Sequence, residues 1–223
     1  MGGVICAIWV VAVVGYRILR NEFKDSFSAA LRLSSGSSQG LIADNFFTNW
    51  SADTGSLKAS AIWVLGDETC KNVQITRNRF LNTGLCPSHF CIESYPDAGK
   101  FHPGFVITEN LMDGAGIRGT GVSGFFINST ISKNVLLNGK QNDTGAWAGW
   151  RNGLELFGSQ LTVCGNVIEN GSIVLDKGAS SPSAGVGNVV TDNAIKITSS
   201  DSTGIAPIQF SDQDDLVVSR NTI

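Results

Sequence analysis

One six-residue phrase recurs along the whole chain. Ile18-Leu19-Arg20-Asn21-Glu22-Phe23 and Ile75-Thr76-Arg77-Asn78-Arg79-Phe80 are nearly the same, and related phrases are centred on Asn21, Asn45, Asn78, Asn110, Asn134, Asn166, Asn193 and Asn221. Three residues before each Asn stands Ile18, Ile42, Ile75, Ile107, Ile131, Val163, Val190 or Val218. Two residues after each stands Phe23, Phe47, Phe80, Met112, Leu136, Ile168, Ile195 or Ile223. No unit breaks the rule, so the chain is a repeat array and has to be read as one.

Successive Asn residues are 24, 33, 32, 24, 32, 27 and 28 positions apart. The phrases alternate apolar and polar residues and are rich in β-branched and aromatic side chains, with no helical period. A unit of this length built from short strands fits one turn of a β-solenoid, with the variable excess inserted as a loop at one corner. The Asn belongs where a strand bends into the next face, since its amide both donates and accepts. Stacked coils would place these amides about 4.8 Å apart as a buried ladder. The flanking apolar columns would then form the core.

Composition agrees with strands joined by tight turns: 26 Gly against 5 Pro, 42% hydrophobic and 16% charged residues. The net charge of −3 and the lack of a basic stripe argue against nucleic acid as a partner. Residues 1–17 hold an apolar run, Val4 to Val14, with no basic residue ahead of it and too short to span a bilayer. A buried strand of a first coil is the preferred reading, with a signal or anchor as the alternative, and membrane association is not expected. Residues 18–223 form the solenoid. The five cysteines show no metal-ligand spacing, and most read as buried fillers, although Cys86 and Cys91 bracket a segment short enough to bridge.

With its Asn ladder and apolar columns from Ile18 to Ile223, the chain resembles the right-handed parallel β-helix superfamily typified by pectate lyases, polygalacturonases and phage tailspikes. The resemblance implies an all-β, right-handed parallel β-helix of about eight coils, and it is specific for fold and not for activity. It also implies an extracellular, cell-surface or virion setting and, if tailspike-like, a trimer. The chain ends within a phrase, at Asn221-Thr222-Ile223, so a longer parent protein is expected.

A second strand precedes each Asn phrase: Ala30 to Leu33, Ala61 to Leu65, Phe90 to Tyr95, Gly116 to Thr120, Gly153 to Phe157, Ser172 to Asp176 and Pro207 to Phe210. Placing Leu31, Ile62, Ile92, Ile117, Leu154, Ile173 and Ile208 inward turns the next residue of each outward. That outward column reads Arg32, Trp63, Glu93, Arg118, Glu155, Val174, Gln209. A second reads Ser34, Leu65, Tyr95, Thr120, Phe157, Asp176, Ser211. A long face lined by Trp, Tyr, Arg and carboxylates suits a sugar polymer, because aromatic faces stack on pyranose rings and charged groups bind hydroxyls or acid groups. Trp63, Tyr95, Trp147, Trp150, Arg151 and Asp176 are the expected substrate contacts, with the loop around Trp147 and Trp150 as a wall.

Glu93 and Glu155, two coils apart, would be separated by roughly 9 to 10 Å. Inverting glycoside hydrolysis uses a pair about 6.5 to 9.5 Å apart. An ordinary cross-strand charge ladder of Glu93, Arg118 and Glu155 would look the same in sequence. The resemblance to pectate lyases implies a second chemistry, β-elimination with Arg118 as base and calcium held by Glu93 and Glu155. No lyase signature phrase supports it. The polygalacturonase pattern is absent: there is no Asn-Thr-Asp, no paired Asp on the exposed strand and no Gly-His-Gly. His89 and His102 lie near Pro87 and Pro103 and read as structural rather than catalytic. Asp67-Glu68 and Asp212 to Asp215 lack the alternation of a calcium loop. Sequons at Asn49, Asn128, Asn142 and Asn170 matter only in a eukaryotic secretory pathway.

The expected function is therefore binding and cleavage of an extracellular polysaccharide, by lyase or glycoside hydrolase chemistry. A non-catalytic adhesin or scaffold and a polysaccharide epimerase are the alternatives.

Overall fold

A computed structural model of the chain describes residues 6–26, 29–50, 60–66, 68–83, 90–97, 99–114, 121–138, 152–177, 185–198 and 206–223. All the described regular structure is β-strand, and every strand pairing is parallel, from one coil to the next. The chain is a right-handed parallel β-helix, the hand that parallel crossovers take. Its first face stacks Cys6–Val11, Ala29–Ser34, Ile62–Gly66, Ile92–Pro96, the early parts of Val122–Ser132 and Asn152–Cys164, Ser172–Asp176 and Ile208–Phe210. The second face stacks Arg17–Leu19, Leu41–Ala43, Gln74–Thr76, Val106–Thr108, the late parts of the same two long strands, Val189–Thr191 and Val217–Ser219. The third stacks Glu22–Lys24, Phe46–Thr48, Arg79–Asn82, Leu111–Gly114, Val135–Leu137, Val167–Glu169 and Ala194–Lys196. The apolar N-terminal run supplies the first of these strands, with Ile8 paired to Leu31 and Val10 to Leu33.

The repeat maps onto the coils without a slip. Ile18, Ile42, Ile75, Ile107, Ile131, Val163, Val190 and Val218 are successive partners on the second face. Phe23, Phe47, Phe80, Met112, Leu136, Ile168 and Ile195 are successive partners on the third. Nearly all of both columns is buried, and the three Phe rings stack 4.8 Å apart at 6°. That is the strand spacing itself, so identical side chains on successive coils meet face to face.

The Asn column turns the corner between the second and third faces. In each coil the side-chain oxygen accepts two bonds from the Asn of the preceding coil. Asn78 donates its main-chain N–H and its Nδ2 to Asn110 Oδ1, each at 3.0 Å. Asn110 does the same to Asn134 at 3.1 and 3.0 Å, and Asn134 to Asn166 at 3.0 Å. From Asn45 onward each Nδ2 also reaches back to a carbonyl of the preceding coil, as Asn110 does to Ile75 O at 2.9 Å. The links run unbroken from Asn21 to Asn221. The corner needs them because a main-chain N–H turned into the core has no water to bond.

The residue before each Asn makes the turn itself. Arg20, Asp44, Arg77, Glu109, Lys133, Gly165, Asp192 and Arg220 all have φ between 51° and 64°. Seven of these eight are not glycine, so each accepts the steric cost of the left-handed region. Their charges alternate in sign along the axis up to Lys133. Arg77 grips Asp44 with two bonds at 2.9 and 3.1 Å, and Arg220 grips Asp192 at 2.7 and 2.8 Å. The Arg77 guanidinium holds the Asp44 carboxyl below the ordinary carboxylate range, and Arg220 does the same for Asp192.

Two side chains from the loop-rich coil end up inside. Cys91 is a free thiol packed in the core, and burial pushes its pKa up. His102 is fully buried against Phe105 and Phe126 on the short strand His102–Pro103. Neither ring nitrogen meets hydrogen-bond geometry. Burial pulls its pKa down to about 4, with the nearby Cys70 backbone acting weakly the other way. It is a core residue and has no access to a substrate. His89, Cys86, Asp67 and Asn142 lie outside the described residues.

Replacing Asn134 by Ala orphans the buried main-chain N–H of Asn110, while its Nδ2 keeps the carbonyls of Ile75 and Thr108. The expected loss is about 1 to 3 kcal/mol, read as a shift in the urea midpoint. Asn221→Ala, where water reaches the amide, is expected to cost clearly less. A His102 held neutral by the fold gives stability that is present above pH 6.5 and lost as pH falls from 6.5 towards 4. The loss should reach about 3 kcal/mol. It should disappear in His102→Leu when unfolding is compared with the wild type across that window.

Candidate functional site: the outward columns of the first face

Strand pleating turns alternate residues of the first face to the core. Leu31, Ile62, Ile92, Val122, Leu154, Ile173 and Ile208 are successive partners, and all but Ile208 are fully buried. The outward column beside them reads Trp9, Arg32, Trp63, Glu93, Ser123, Glu155, Val174, Gln209. Two residues further along each strand, Leu65 partners Tyr95, and Phe125 partners Phe157, which partners Asp176.

The coil between Glu93 and Glu155 corrects the sequence reading. The inward residue there is Val122 and not Ile117, so the outward position is held by Ser123 and not Arg118. The second column has Phe125 next to Phe157 where Thr120 was expected. Arg118, Ile117 and Thr120 lie outside the described residues, as does the expected strand Gly116 to Thr120. Gly121 shows why the register holds, because a Cβ there would sit 1.7 Å from the carbonyl oxygen of Gly153. The chain enters the first face through a column of small residues, Ala30, Ala61, Cys91, Gly121 and Gly153, that lets successive coils approach. A usable sequence signal was present: 12 residues separate Val122 from Asn134 and Leu154 from Asn166. That common length belongs to the two coils whose strands run straight through from the first face to the second.

Both carboxylates lie on one column with a serine between them. Ser60 Oγ donates to Glu93 Oε2 at 2.7 Å, and Ser123 Oγ donates to Glu155 Oε2 at 2.9 Å. Glu155 is only 9% exposed, whereas Glu93 is half-buried. Two coil steps separate them by roughly 9 to 10 Å. Beside them runs an aromatic strip. Tyr95, 62% exposed, meets Phe125 edge-on at 6.4 Å, Phe125 stacks on Phe157 at 4.7 Å, and Phe101 leans on Phe125 at 6.1 Å. Asp176 ends the strip, its Oδ1 accepting from the Lys177 N–H at 2.6 Å.

At the other end, Arg32 lies between two indoles, 4.5 Å from the Trp9 ring centre and 5.7 Å from that of Trp63. Trp147, Trp150 and Arg151 lie outside the described residues. Sequence reasoning therefore placed Trp63, Glu93, Tyr95, Glu155 and Asp176 on one face and missed Trp9, Ser60, Phe101, Ser123 and Phe125. Among the described residues no three His, Cys, Asp or Glu side chains gather as a metal site. Asp212 is paired with Lys177 at 3.0 Å.

No protein-family model matches the chain, and no curated protein matches it. Among solved structures, QnrB1, a plasmid-mediated fluoroquinolone resistance protein, aligns over 91% of this chain and 91% of its own, at 11% sequence identity and a TM-score of 0.18. An overlap that weak carries neither site nor activity across. Of the pectate-lyase-like resemblance, the strand pairings show the coarser part, a coiled parallel β-sheet fold.

The register of this face is open to a direct test. Gly121→Ala forces a methyl into the Gly153 carbonyl and is expected to cost about 1 to 3 kcal/mol in urea unfolding. A neutral substitution would show that Gly121 does not enter the stack, and Ser123 would leave the column between the carboxylates.

Proposed function

We propose that the first face binds an extended polysaccharide and that Glu93 and Glu155 hydrolyse it with inversion. The observation that carries this reading is the pair of serine-held carboxylates on one column, two coils apart, beside an outward aromatic strip. Their spacing of roughly 9 to 10 Å is close to the upper end of the range that leaves room for substrate and an attacking water. Glu155, the less exposed of the two, takes the part of the general acid in this reading. Glu93, more open to water, suits the base that activates the nucleophile. Tyr95 and Phe125 would stack on sugar rings alongside. The β-elimination reading is weaker on this face, because its base was to be Arg118 and the column holds Ser123 in that place.

A non-catalytic binding scaffold is the second reading, favoured by the low exposure of Glu155 and its hydrogen bond to Ser123. An extracellular or surface setting belongs to both readings. The deciding experiment screens the purified chain against neutral and acidic polysaccharides, with and without calcium. Reducing ends and the absorbance of unsaturated products are followed together. Hydrolysis is expected to release reducing ends without that absorbance, and Glu155→Gln and Glu93→Gln should each lower the rate by at least about 100-fold. Unchanged rates in Glu155→Gln would remove its assignment. Binding without cleavage would establish the scaffold reading.

A further inference from the structure

We propose that Arg32, clamped between the indoles of Trp9 and Trp63, is a subsite for an oxyanion group, carboxylate or sulfate ester, carried by the saccharide. The inference rests on the polysaccharide reading of the same face and names the chemistry of its ligand. Trp9, Arg32 and Trp63 are direct partners on successive coils, so their side chains stack at the strand spacing. The guanidinium lies 4.5 Å from one ring centre and 5.7 Å from the other, the arrangement of a cation held on two π faces. Trp9 is itself fixed, its indole N–H donating to Ser34 Oγ at 2.8 Å.

The clamp fixes the cation but gives it no anion. None of the ion pairs among the described residues uses Arg32. Among the described residues its buried Nε finds no acceptor, and neither does the buried indole N–H of Trp63. Unpaired buried donors of this kind are uncommon and call for a partner. An oxyanion meets the need, because the guanidinium fork can bond two of its oxygens at once, in a carboxylate or a sulfate ester alike. The rings have already frozen the side chain, so a ligand would not pay again for ordering it.

Position on the column narrows the class. Trp63 separates Arg32 from Glu93, and Glu155 follows two coils on. A densely charged polyanion such as nucleic acid would run from the one cation into two carboxylates. A saccharide chain with one acid group over Arg32 and hydroxyls over Glu93 and Glu155 would not.

The test measures affinities of the full chain for polygalacturonate, a sulfated galactan and a neutral galactan by affinity electrophoresis and calorimetry. One of the acidic polymers is expected to bind at least tenfold tighter than the neutral one, and which of the two does so names the group. Arg32→Gln should erase that preference and leave the neutral polymer's affinity unchanged. Arg32→Lys keeps the charge but loses the fork, and should retain less than a third of the preference. Circular dichroism of both variants confirms that the coils are intact. Equal affinities for acidic and neutral polymers, or an acidic preference that survives in Arg32→Gln, overturns the subsite while polysaccharide binding stands. Failure of all three polymers to bind overturns both.

Discussion

A chain that winds around its own core must turn corners where main-chain N–H groups face inward, out of reach of water. The Asn column is the answer this protein uses. Each amide oxygen takes two donors from the coil before it, and each amide nitrogen bonds back to that coil's carbonyls. A single coil cannot satisfy its own corner, so each depends on its neighbour. Ile and Phe columns gain their packing only because this ladder holds successive coils in step.

The corner has a second layer on its outer side. Left-handed residues that are charged rather than glycine carry a backbone cost, offset in part by alternation of sign between coils. In the paired Arg and Asp, both partners lie open to water, which limits what they add to stability. Skipping one coil in the stack would bring like charge over like charge at the corners from Arg20 to Lys133, while the apolar columns would hardly distinguish the two arrangements.

Rigid stacking also explains how this fold makes a site. Outward side chains on successive coils are brought within one strand spacing, however far apart they lie in sequence. Thus Trp9, Arg32 and Trp63 come together, as do Ser123 and Glu155, without any local motif. The same geometry lets carboxylate separations be counted in coils. Exposure varies along the column, from the half-buried Glu93 to the nearly covered Glu155, so equivalent positions carry different chemistry.

The sequence by itself determined the coil. Asn, Ile/Val and Phe/Leu at constant offsets can be satisfied together only when stacked, and the phrase has the same length in every unit, so its register left no freedom. The first face was legible in six coils of the seven aligned by the repeat, wherever one apolar run preceded the phrase. It was misread between Glu93 and Glu155, where two glycine-led segments, Gly116-Ile117 and Gly121-Val122, both fitted the alternation. Only the tertiary structure decided between them, through the close approach of Gly121 to the Gly153 carbonyl, and with it Ser123 replaced Arg118 beside Glu155. It also sent His102 inward, because whether a loop residue faces the core depends on how the coil closes and not on its own neighbours in the chain.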